Sequence, residues 1–131
     1  MWSDILKTVD SVLDLKQFPE VLVTHTDRQV FGIKDNLILF PNWDRFSSKM
    51  EVLGVEAKLA GCLEFVHHLV HAIRFTRGLM MSGHDSGFSQ LFTQFIRSLQ
   101  LKGAIRPRNP QDLFTYQKAL GATLPFDRWY F

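Results

Sequence analysis

The sequence predicts one α+β domain over residues 1–131: a short N-terminal helix, a three-stranded antiparallel sheet, and a mainly helical C-terminal portion with one long central helix. Three observations predict it. Apolar residues recur at helical spacing near the start and again through the second half. Between them lies EVLVTHTDRQVFGIKDNLILFP, rich in β-branched and aromatic residues and cut by polar turns. A chain of 131 residues is also the size of one domain, able to bury roughly two-thirds of the surface its unfolded form exposes.

The first helix is expected over 1–17. Ser3 is a suitable cap, and Ile5, Leu6, Val9, Val12 and Leu13 share one helical face. Phe18-Pro19 ends it, because the residue before proline is pushed out of helical geometry. The segment 21–40 reads as a β-meander with strands at 21–26, 29–33 and 37–40, turning at Asp27-Arg28 and at Lys34-Asp35-Asn36. Pro41 and Asn42 close the sheet, whose apolar face needs helices to cover it.

The helical portion is expected over 49–120, after a polar linker NWDRFSSK. Val52, Val55, Leu59, Cys62, Val66, Leu69, Ile73 and Met80 keep a three-four spacing that predicts one long helix from about 49 to 81. The turn MMSGHDSG precedes a helix whose apolar face is Phe88, Leu91, Phe92, Phe95, Ile96 and Leu99, with Gly103 as its stop. Asn109-Pro110 starts a last short helix that Gly121 ends, and 121–131 is an aromatic tail expected to dock.

Composition narrows the function classes. Hydrophobic residues at 46% and charged residues at 21% are ordinary globular usage, which argues against disorder and fibrous repeats. The single cysteine, Cys62, leaves no intramolecular disulfide and no CxxC zinc module, and fits a reducing, cytoplasmic setting. The start MWSDILKTVDSVLD lacks the basic, then continuously apolar, pattern of a signal peptide. No membrane partner and no small-molecule ligand are expected. Phosphate-loop, dinucleotide and nucleophile-elbow patterns are missing, so no cofactor is inferred.

The stretch GCLEFVHHLVHAIRFTR carries the most chemistry. Placed about 100° apart around a helix, Glu56, Glu64, His67, His68, His71 and Arg74 fall opposite the apolar arc. Gly54, Ala57, Ala60, Gly61 and Ala72 lie along or beside this polar arc, where small side chains let another backbone approach. Glu64, His67 and His71 stand at the i,i+3 and i,i+4 spacings used by helical metal sites, with His84 and Asp85 in the next turn. That pattern defines one alternative function, a metal-dependent hydrolase. The competing reading is a hydrogen-bonded or solvated stripe, with Asp85 or Ser86 capping the next helix.

Charge is divided unevenly. Residues 1–64 carry a balance of −3 and residues 65–131 a balance of +5, although the whole chain is only +2. Arg74, Arg77, Arg97, Lys102, Arg106 and Arg108 form the basic set, suited to an acidic protein surface or to nucleic acid. Trp129, Tyr130 and Phe131 are residue types enriched at interfaces. The expected function is therefore a non-catalytic assembly or adaptor protein, self-associating or bound to another protein through its long helix, basic connector and aromatic tail. Nucleic-acid binding by the basic half is the second alternative.

Overall fold

Apolar residues at positions 2, 5, 9 and 13 wind onto one stripe, and in the computed structural model that stripe is the buried face of α1 (Trp2–Leu13). Residues 1–18, 22–28, 32–34, 37–78 and 86–105 are described. Helix α1 begins two residues earlier than a cap at Ser3 implies. Met1 occupies the cap without a side-chain bond, and its terminal amine lies 3.5 Å from the Asp4 carboxylate. At the other end Asp14 takes left-handed geometry (φ 51°), donates its N–H to the Asp10 carbonyl, and leads into a 3-10 turn, Leu15–Gln17. Asp10 reinforces the corner by accepting the Leu15 N–H at 2.8 Å. A short acidic side chain is one of the few that tolerate this backbone region.

The chain is mainly α-helical among the described residues, and the expected three-stranded antiparallel sheet is not what forms. Strand β3 (Leu37–Pro41) lies in the middle, with β1 (Leu22–Arg28) on one side and β2 (Gly32–Lys34) on the other. β1 runs parallel to β3, from Leu22↔Leu37 to His25↔Phe40, with an irregularity before Arg28↔Pro41. Only β2 and β3 pair antiparallel. The reason is visible in β3 itself. A meander would put the second strand at the centre, but Ile38, Leu39 and Phe40 are all buried in succession, so both faces of β3 are covered. A continuous apolar run of this kind belongs to a central strand, whereas alternation belongs to a strand with one wet face.

The segment read as a linker folds into α2 (Trp43–Val52). Asn42 caps it, its Oδ1 accepting the Arg45 N–H at 3.2 Å, and Phe46 and Met50 face the core. The single long helix expected over 49–81 is likewise replaced by two. Gly54 adopts φ 75° just after α2, and the Val55 N–H donates to the Met50 carbonyl at 2.9 Å, closing the helix end. Val52, which kept the apolar spacing across this break, is 86% exposed.

Helix α3 (Ala57–Thr76) is the centre of the molecule. It packs against α1, α2, β2, β3 and α4 (Ser86–Leu101), and residues on nearly every side of it are buried. Gly61 permits the approach of α1: a Cβ there would lie 2.3 Å from Ile5 Cδ1 and 3.1 Å from Trp2 Cζ3. Around this contact Trp2 stacks on Phe40 (centroids 4.8 Å) and meets Trp43 edge-on (4.9 Å). The Trp2 indole Nε1–H donates to the Pro41 carbonyl at 2.7 Å, which ties α1 to the end of β3. On α4, Phe88, Phe92, Phe95, Ile96 and Leu99 are buried as their spacing implies. Gly103 (φ 71°) stops the helix, with the Ala104 N–H bonded to the Leu99 carbonyl at 2.8 Å. None of the described helices is long and apolar enough to cross a membrane. The helix expected from Asn109 and the aromatic tail 121–131 lie outside the described residues.

Candidate functional site

His67 and His71 of the polar arc of α3 meet α4, and the two helices run antiparallel: His67 faces Phe88 and Phe92, while Leu59 shares a pocket with Ala104 and Ile105 near the opposite end. His71 lies 4.5 Å from Phe88, centroid to centroid, and is buried; His67 lies 5.2 Å from the same ring and 4.8 Å from His71. Phe88 and Phe92 stack at 5.9 Å behind them. Ring contacts of this kind contribute about 0.5–1.5 kcal/mol each beyond their buried area. The imidazoles therefore belong to the joint between the helices as well as to the titratable set.

Glu64 and His68 form a second pair, with the His68 ring 5.0 Å from that of His67. His68 Nδ1 lies 2.8 Å from the Glu64 backbone carbonyl and 3.5 Å from Glu64 Oε2, with both side chains largely covered. A proton on Nδ1 satisfies that carbonyl as the donor, which leaves Nε2 as the other tautomeric position. Glu64 is thus engaged with His68, and among the described residues no three His, Cys, Asp or Glu side chains converge where a metal ion could be held. His84 and Asp85 lie outside the described residues.

Cys62 sits on the opposite, apolar side of α3 and is fully buried. Burial pushes its thiol up to about 11, an effect that Lys58 reduces and Glu56 increases. Little thiolate exists at neutral pH, so Cys62 is a poor nucleophile.

Among the described residues the basic side chains are not gathered into one surface. Arg74 is half-buried in the last turn of α3, where a cation is favourable, and Arg77 is exposed just beyond it. Arg97 and Lys102 are exposed toward the far end of α4. Because the helices are antiparallel, Arg77 and Lys102 are separated by about the length of α4, roughly 24 Å, or some three screening lengths at physiological salt. Arg106, Arg108, Trp129, Tyr130 and Phe131 lie outside the described residues.

One surface was not anticipated from sequence. Gln90, Thr93, Gln94, Arg97, Ser98 and Leu101 line an open groove of about 390 Å³ along the outward side of α4. Leu101 is 86% exposed, and the Thr93 hydroxyl oxygen is buried without a hydrogen-bond partner among the described residues. The signal was present as a second three-four spacing, interleaved with the phenylalanine spacing that identified the helix. A smaller pocket of about 190 Å³, lined by Glu56, Lys58, Leu59, Gly103, Ala104 and Ile105, lies where the start of α3 meets the end of α4.

No protein-family model, no curated protein and no solved structure matches this chain.

Proposed function

We propose that this chain is a non-catalytic assembly or adaptor protein that binds another macromolecule, or a second copy of itself, with the outward face of α4 as its contact surface. The observation that carries the reading is the groove along that face, where Arg97 stands beside the exposed Leu101. A guanidinium next to an accessible aliphatic side chain is a pairing that protein interfaces use for anchoring. The absence of acidic residues from α4 favours a partner with acidic or neutral polar character.

Two features of the interior add support. The imidazoles of His67 and His71 lie against phenylalanine rings, and the Cys62 thiol is held protonated. Neither arrangement pairs a nucleophile with a base, the relation that covalent catalysis requires. Nucleic-acid binding draws less support, since the described cations stand at both ends of the α3–α4 pair instead of along one phosphate track. A reducing, intracellular location fits a buried free thiol.

The test compares native mass spectra of the untagged protein with those of the double variant Arg97→Glu, Leu101→Glu. The expected result is a partner-bound or oligomeric species in the parent protein that disappears in the variant, with unchanged circular dichroism. A complex that survives the double substitution would place the contact elsewhere, and a parent protein that never leaves the free monomer would contradict the reading.

A further inference from the structure

We draw no further inference here: the strongest candidate, the small pocket where the start of α3 meets the end of α4 beside Lys58, rests on a helix N-terminus with the Glu56 carboxylate at its edge, and no second observation points to a ligand.

Discussion

The two sides of α3 solve the same problem with different chemistry. Toward α1, α2 and β3 the helix presents Gly61 and Phe65, and the space is filled by Trp2, Phe40, Trp43 and Phe46, with a buried polar link from the Trp2 indole to the Pro41 carbonyl. Toward α4 it presents His67 and His71, which meet the stacked pair Phe88 and Phe92. The first side relies on close backbone approach and aromatic volume. The second relies on rings that are flat and apolar on their faces but polar at their edges. The contrast shows how a stripe that looks reactive in sequence can serve as a packing surface once a second helix covers it.

The largest expected effects come from removing a ring on either side. Trp2→Ala and Phe88→Ala should each cost about 3–5 kcal/mol in chemical denaturation, because each leaves a cavity among rings that cannot collapse fully. If Phe88→Ala proved nearly neutral while Trp2→Ala did not, the α3–α4 joint would be much looser than the other side.

Cys62 offers a pH test on the apolar side. Its thiol rises from the ordinary 9.0 to about 11 on folding, so between those values the unfolded chain has lost a proton that the folded chain keeps. Stability is fully present below pH 9, where the thiol is protonated in both states, and unfolding becomes more favourable as pH rises from 9 towards 11, by about 2–3 kcal/mol in total. Denaturation profiles of the parent and Cys62→Ala should differ in this alkaline slope. Parallel profiles would mean that the thiol is not buried as described.

Gly61→Ala isolates the close approach of α1. The added methyl would meet Ile5 and Trp2, and overpacking of this kind costs about 1–3 kcal/mol, more than the gain in helix propensity returns. A thermal melt that rises instead would show that α1 shifts freely. The smallest effect should come from Val52→Ser. Val52 stands in the apolar spacing but is exposed, and its replacement should change stability by no more than about 0.5 kcal/mol. A loss of several times that amount would restore the continuous helix that the spacing first suggested.

These positions also show what sequence could and could not resolve. The faces of α1 and α4 were legible because their buried residues follow a local period, as Ile5, Val9 and Leu13 or Phe88, Phe92 and Phe95 do. The helix break was not, because Val52 and Val55 keep the three-four spacing through Gly54, and only the positive φ of that glycine ends α2. NWDRFSSK read as a linker from its polarity, although Asn42 is a good cap and Phe46 and Met50 give the helix its buried side.

That strands lie between α1 and α2 was legible, but their bounds and partners were not: β1 runs through Asp27-Arg28, where a turn was expected, and the second strand is Gly32–Lys34 where 29–33 was expected. Pairing is decided by which strand can be covered on both faces, a non-local condition that placed β3 at the centre. For the candidate site, Glu64, His67, His68, His71 and Arg74 lie on α3 while Glu56 is its N-cap; Ala60, Gly61 and Ala72 are buried as their size implied, whereas Gly54 is exposed with nothing near it and Ala57 is half-buried. Which element would cover the histidines could not be read, since nothing in the period of α3 specifies Phe88 as the neighbour of His67 and His71.

His67 and His71 form a joint between α3 and α4. A two-dimensional nuclear Overhauser spectrum with selectively labelled histidine and phenylalanine tests it most directly. Strong cross-peaks are expected from the ring protons of His67 and His71 to those of Phe88, whose centroids lie 5.2 and 4.5 Å away. Histidine ring protons that show contacts only within α3 and to water would contradict it, and would return the stripe to the list of open surfaces on which chemistry could occur.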